Sequence, residues 1–233
     1  MNATITTTGG PELAERAARE LEEASAPEII AWAARTFGSQ LCMTSSMADA
    51  LMVDLASRTA PGIDVIFLDT GYHFPETIGT RDAVASVYDI NLINVEPSRT
   101  VAEQDLALGP RLHGRDPGIC CHLRKVEPLR RALEPYSAWL TGLRREDSPT
   151  RRDTPVVQWD RRRRMTKVNP IARWTRDDVD AYMAEHGVMV NPLQYDGYPS
   201  IGCEPCTRRV APGEDPRSGR WAGTGKTECG IHV

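Results

Sequence analysis

Leu41-Cys-Met-Thr44-Ser45-Ser46-Met-Ala-Asp49-Ala-Leu-Met-Val-Asp-Leu-Ala-Ser57 is followed, a few residues on, by Ile63-Asp-Val-Ile-Phe-Leu68 and then Asp69-Thr70-Gly71. Leu41–Thr44 is short and apolar and reads as a strand, whereas Asp49–Ser57 carries its apolar residues at helical spacing. Ile63–Leu68 is an apolar run of the kind found in strands covered on both faces. Upstream, Pro11–Ala24 places Leu13, Ala17 and Leu21 at helical spacing, and a second helical run follows Pro27 through Ile30 and Trp32 to Phe37 before stopping at Gly38. Downstream, Pro75–Tyr88 reads as a helix, and Ile90–Val95, Ala138–Thr141 and Val156–Trp159 as strands. Strands alternating with helices predict an α/β fold: a mostly parallel sheet with helices on both faces. In such sheets the ligand lies beyond the carboxyl ends of the strands, so Thr44–Asp49, Asp69–His73 and Thr141–Arg152 are expected to line the site.

The 233 residues divide into three parts: a disordered, Thr-rich tail at 1–10, an α/β nucleotide-binding domain at 11–200, and an irregular C-terminal segment at 201–233 rich in Gly and Pro. The apolar share, 40%, suits a globular core, and the formal charge of −4 argues against a protein coated in nucleic acid. Arginine is nevertheless concentrated between Arg144 and Arg176 and between Arg208 and Arg220, a distribution suited to a small anionic ligand. No run reaches the ~18 apolar residues of a membrane span, and Met1–Gly10 lacks the blocks of a secretory signal. A cytoplasmic location is therefore expected, where thiols stay reduced.

Six cysteines in a reducing compartment point to metal or redox chemistry. Cys120 and Cys121 are adjacent, and Cys203 and Cys206 form a C-x-x-C pair stiffened by Pro205; together they offer the four thiolates of a [4Fe–4S] cluster or a tetrahedral zinc. Adjacent side chains on a helix diverge by about 100°, which a cluster several ångströms across tolerates better than one small ion. A helix there would also put Lys125 on the face of Cys121. Cys229 is different, lying in the polar terminus Lys226-Thr-Glu-Cys229-Gly-Ile-His232-Val233, where Lys226 and His232 are cations that favour the reactive thiolate. Cys42 falls within a strand and reads as core. Strand, then Ser45, Ser46 and Asp49, then helix is the arrangement in which hydroxyls and backbone N–H groups cradle a phosphate. Asp69 or Thr70 on the next strand end suits either a ribose or base contact or a turn.

Taken in order, these elements resemble the assimilatory sulfonucleotide reductases, and specifically the bacterial adenosine 5′-phosphosulfate (APS) reductases. The resemblance runs from Thr44 to His232 through Ser45–Asp49, Leu68–Gly71 with His73, Cys120-Cys121 with Arg124-Lys125, and Thr141–Arg145. It continues through Ser148-Pro149, Cys203-x-x-Cys206 and Gly219–Trp221, and closes on Glu228-Cys229-Gly230-Ile231-His232. It implies an adenine nucleotide α-hydrolase-like (Rossmann-like) fold, one [4Fe–4S] cluster on Cys120, Cys121, Cys203 and Cys206, and reduction of APS to sulfite and AMP in sulfate assimilation and cysteine biosynthesis. By similarity Cys229 is the nucleophile and Lys125 a catalytic cation. Substrate contacts fall to Ser45, Ser46, Asp49, Asp69, Thr70, Arg144, Arg217, Arg220, His232 and an arginine after Ser148-Pro149, either Arg151 or Arg152. Thioredoxin or a similar dithiol is the implied reductant, and a homo-oligomer is compatible with the sequence. The loop departs from the family's commoner Ser-Gly-Gly or Ser-Gly-Ala form by carrying Ser46-Met47-Ala48. The related PAPS reductases share the terminal motif but lack the two cysteine pairs. A PAPS or dual-specificity reductase, a zinc-stabilised nucleotide-binding module and ATP pyrophosphatase-type chemistry are the alternatives.

Overall fold

The computed structural model describes residues 10–221, 226, 230 and 231. Two helices open it, α1 (Pro11–Glu20) and α2 (Ala26–Phe37). Proline sits in the first turn of each, where its missing N–H costs nothing. α2 is capped by Ser25, whose hydroxyl accepts from the Glu28 N–H, and it ends at Gly38 with φ +53°. Strands and helices then alternate: β1 (Leu41–Thr44), α3 (Leu51–Thr59), β2 (Ile63–Leu68), α4 (Pro75–Val87) and β3 (Ile90–Val95). The chain crosses back through α5 (Val101–Leu108), α6 (Leu112–Arg115), α7 (Pro117–Cys121), a π-helical turn at His122–Val126 and α8 (Glu127–Leu133). β4 (Ala138–Leu140), β5 (Val157–Asp160), β6 (Met165–Val168) and α9 (Arg176–His186) complete the regular structure.

The six strands form one sheet in the order β3-β2-β1-β4-β6-β5, parallel throughout except for the antiparallel pair β5–β6. Period-two alternation divides the strand residues between two apolar layers. Leu41, Met43, Val65, Phe67, Ala138 and Leu140 face the larger layer, which includes Ala14 and Ala17 of α1 and Ile29, Ile30 and Ala33 of α2. Cys42, Ile66, Trp139 and Met165 face the other, closed by Leu129 and Leu133 of α8. From β1 the chain steps outward to β2 and β3, then returns to the opposite side of β1 to form β4. The order therefore reverses between β1 and β4, and their carboxyl ends, Thr44–Asp49 and Thr141–Arg144, flank the crevice where open α/β sheets bind ligands.

Several boundaries differ from those the sequence predicts. α1 stops at Glu20, four residues short of Ala24. α3 begins at Leu51, because Ala48 and Ala50 are bonded to the Met189–Asn191 segment and Asp49 bridges Val190, keeping the chain extended. β6 and α9 carry little apolar signal: Met165-Thr-Lys-Val is half polar, and only Val179 of α9 is buried.

Candidate active site

A wide cleft, open to solvent, lies at that reversal. Its floor is Ser45, Ser46, Ala48 and Asp49, and its far wall runs from Thr141 to Arg144 and on to Asp147 and Arg151. The Ser45 hydroxyl accepts from the Met47 N–H at 3.2 Å, closing a tight turn in which Met47 adopts φ +57° while fully buried. Met47 occupies the position where the commoner loop has glycine, and the left-handed backbone explains why glycine is common there. The loop is braced from behind, since Asn191 Nδ2 donates to the Met47 carbonyl at 3.1 Å and Gln194 Nε2 to that of Ala48 at 2.8 Å. Replacing Met47 by glycine should relieve about 1–2 kcal/mol of backbone strain but forfeit about 2–5 kcal/mol of buried side chain. Met47→Gly is therefore expected to be less stable by about 1–3 kcal/mol in urea unfolding, despite restoring the commoner loop.

Asp49 accepts from the Leu51 N–H at 3.1 Å. Burial pushes its carboxyl above the usual range, offset by that bond and by the charges of Arg176 and Arg144. On the opposite wall Arg144 (2.7 Å) and Arg151 (3.2 Å) share the Asp147 carboxylate, so one acid orients two guanidiniums towards the cleft. Arg151 lines the cleft and exposed Arg152 does not. Arg217 and Arg220 approach from the C-terminal segment. Arg220 donates to the Ile201 carbonyl at 3.1 Å and lies over the Trp221 ring at 4.6 Å; a Cβ at Gly202 would collide with its guanidinium. Arg176, which closes the first arginine-rich stretch, and Gln194 line the cleft, while Asn191 braces its loop; no motif marks Asn191 or Gln194.

Asp69 and Thr70 do not line this cleft. Asp69 accepts from the Gly71 N–H at 3.0 Å and pairs with Arg81 at 3.4 Å, the turn role its Asp-Thr-Gly context also allowed. The Thr70 hydroxyl lies 3.3 Å from Cys203 Sγ, and its carbonyl accepts from buried Arg124. His73 does line the cleft, its Nε2 held 2.8 Å from the Leu68 carbonyl oxygen. Burial holds its pKa below the ordinary value.

Behind the cleft, Cys120, Cys121, Cys203 and Cys206 line a second, small pocket. The first pair ends α7, whose start is capped by Asp116 bonding the Ile119 N–H at 2.9 Å. The second pair is brought in when the Glu204 N–H donates to the Tyr72 carbonyl at 2.8 Å and the Trp221 N–H to that of Cys206 at 2.9 Å. Burial pushes the Cys120 thiol up to about 12, with repulsion from Cys121, Cys203 and Cys206 adding to it. Cys206 is raised for the same reasons. Four thiolates in a largely apolar pocket require positive charge among them, so the donor set fits a thiolate-bound metal group. Among the described residues no three His, Cys, Asp or Glu side chains converge tightly enough for a single ion.

Lys125, Arg220 and Trp221 line both cavities. Lys125 sits in the π-helical turn, a feature often found at functional sites. Its charge opposes the raised pKa of Cys206 on one side and lowers that of His73 on the other. Cys229 and His232 lie outside the described residues, as does the predicted tail at 1–9.

A parallel sheet with a hydroxyl-lined loop at its topological switch point and arginines converging on the cleft defines a nucleotide-binding domain of the adenine nucleotide α-hydrolase-like kind. The model of the phosphoadenosine phosphosulfate reductase domain matches residues 40–209. The chain is 63% identical over 220 residues to the adenosine 5′-phosphosulfate reductase of Streptomyces coelicolor, covering 94% of this chain and 93% of that protein. It is 58% identical to that of Mycolicibacterium smegmatis, over 95% and 94% of the two. The solved phosphoadenylyl-sulfate reductase of Candida auris, a phosphate complex, superposes with a TM-score of 0.74 at 29% identity, over 86% of this chain and 98% of that one. The FMN adenylyltransferase of Candida glabrata, at 12% identity and a TM-score of 0.58 over 93% of this chain and 73% of its own, shares the fold. The chain belongs to the phosphoadenosine phosphosulfate reductase domain family.

Proposed function

We propose that this protein reduces adenosine 5′-phosphosulfate to sulfite and AMP, and that the cleft takes the nucleotide while Cys229 supplies the nucleophile. The observation that carries the reading is the wall of Lys125, Arg220 and Trp221 shared by the nucleotide cleft and the four-cysteine pocket. The relatives named for APS reduction, at 63% and 58% identity, support APS over PAPS.

The substrate sulfur is joined through oxygen to the AMP phosphate. The Cys229 thiolate attacks that sulfur, the S–O bond breaks, and AMP leaves with the bonding pair, leaving an S-sulfonated cysteine. A thioredoxin-like dithiol then attacks Sγ of Cys229, expelling sulfite as the mixed disulfide forms, and its second thiol closes the disulfide. The dithiol supplies both electrons. Arg144, Arg151, Arg217 and Arg220 neutralise phosphate and sulfate, so that an anionic nucleophile can approach an anionic ester. Ser45, Ser46 and Asp49 hold the loop beneath the phosphate.

Cys120, Cys121, Cys203 and Cys206 would hold a [4Fe–4S] cluster. When bound, it supplies a rigid electrostatic centre beside Lys125 rather than the electrons of turnover. Cys203→Ala is expected to lose iron and the brown visible absorption together; a colourless parent containing zinc would mean the metal is wrong. Intact mass after incubation with APS and no reductant tests the chemistry. A gain of one SO₃ on the C-terminal peptide is expected, and a protein that releases sulfite without acquiring it would exclude the covalent route. Turnover of PAPS at a rate matching APS would favour a dual-specificity reductase.

A further inference from the structure

The four consecutive arginines Arg161–Arg164 form the turn between β5 and β6, away from the switch-point loop, and the reaction above uses none of them. Arg163 is held in place and makes a long-range contact. Asp160 accepts from the Arg162 and Arg163 N–H groups at 3.0 Å each, and its other oxygen pairs with Arg163 Nη1 at 2.7 Å. The guanidinium lies 5.4 Å from the ring centroid of fully buried Trp139. So fixed, its second nitrogen, Nη2, donates to the backbone carbonyl of Ile231 at 2.7 Å.

Ile231 is also held by its side chain, which packs against the layer containing Cys42, Ile66, Leu129 and Trp139. It lines the nucleotide cleft with Lys125 and Arg220. Gly230 precedes it at φ +83°, with the Val126 side chain 3.4 Å from where a Cβ would stand, so the chain enters this position through a turn that glycine favours. In sequence, Ile231 is two residues from Cys229, a reach of at most about 7 Å.

We propose that Arg163 is a positioning residue for the sulfonation step: by gripping the Ile231 carbonyl it anchors the C-terminal segment at the cleft wall and keeps Cys229 within reach of the substrate sulfur. The proposal rests on the reading of Cys229 as nucleophile. Three features make the contact suited to the task. It is made to a backbone carbonyl, so it tolerates a change of side chain at 231. The donor is pre-oriented by Asp160 and Trp139, so little freedom is lost when the bond forms. It is also a single charge-assisted hydrogen bond, strong enough to bias occupancy about ten- to a hundredfold and weak enough to release the segment to a dithiol partner.

The two half-reactions must then respond differently to Arg163→Ala. Formation of the S-sulfonated protein, followed by mass in a quenched single turnover with saturating APS, should slow about tenfold or more. AMP affinity should be unchanged, and discharge of the sulfonated protein by dithiothreitol should be no slower than in the parent. Alkylation of Cys229 by iodoacetamide with AMP bound should accelerate, a readout independent of turnover. Arg163→Lys, which keeps a cationic donor, should recover part of each effect.

A chain ending at Gly230 provides a second test, because it lacks the acceptor while leaving the hairpin intact. It should slow at least as much, since it also loses the Ile231 side chain and His232, and adding Arg163→Ala should then cost nothing further. Losses that multiply, or an Arg163→Ala protein that charges and alkylates at parental rates, would overturn the anchor while leaving Cys229 as nucleophile. If the parent itself acquires no sulfonate on Cys229, that assignment fails and the anchor with it.

Discussion

Cys229→Ser is expected to reduce sulfite formation by several orders of magnitude, as removal of a catalytic nucleophile generally does, while iron content and visible colour stay at parental levels. The chemistry requires a thiolate, and three of the described cysteines, Cys42, Cys120 and Cys206, are poor sources of one. Cys42 is fully buried beneath α8, and burial raises its thiol far above the usual range, with Asp64 adding to it. Cys120 is pushed up to about 12 and Cys206 is raised, both by burial first and by the neighbouring thiols second. A thiol in such surroundings becomes a good nucleophile only when a cation stabilises its charge, and bonding to a metal group would draw off that charge. Cys229 stands in a polar stretch of sequence between Lys226 and His232, cations of the kind that favour a thiolate. Serine is nearly isosteric, but its hydroxyl is far less acidic, so geometry survives and the nucleophile does not. The decisive measurement is intact mass with APS. The parent gains one SO₃, Cys229→Ser gains none, and Cys42→Ser gains it as the parent does. A Cys229→Ser protein that still made sulfite would assign the attack to another group.

The fold was legible wherever burial produced a pattern. β1, β2 and β3 are buried or partly buried strands, and their limits match the apolar runs at Leu41–Thr44, Ile63–Leu68 and Ile90–Val95. Where a strand or helix meets solvent, the pattern fades. β6 places Thr166 and Lys167 in the interior because Trp139 and the neighbouring strands bury them, a tertiary effect that no local propensity records. The cysteine pairs stood out through side-chain chemistry alone, and they line one pocket although more than eighty residues separate them. Asp69 and Thr70 show the limit of that approach. Their strand end does lie on the correct edge of the sheet, but the turn at Gly71, φ +70°, carries both side chains towards Arg81 and Cys203. Asn191 and Gln194 brace the phosphate loop through backbone carbonyls, contacts that depend on no motif.

Lys125→Ala should lower kcat by about 10²–10³ while changing AMP affinity only slightly. The ammonium stands in the wall between the two cavities, beside Cys206 on one face and His73 on the other. AMP lacks the sulfate, so a cation placed for the sulfate end contributes little to its binding. The charge matters most when the thiolate and the sulfonyl oxygens crowd together and negative charge accumulates on the departing phosphate. Loss of stabilisation confined to that moment lowers kcat and kcat/KM equally, whereas loss of a cation that binds substrate and transition state alike changes KM alone. Arg144 and Arg151, tied to Asp147 on the opposite wall, provide the contrast. Arg151→Ala should raise KM for APS and weaken AMP together, because a phosphate contact persists through the reaction. Steady-state kinetics on the two variants, with AMP binding measured by calorimetry, separates these outcomes. A Lys125→Ala enzyme with unchanged kcat and a raised KM would make Lys125 one more phosphate ligand, and the wall it shares with the four cysteines would then carry no special role in the transfer.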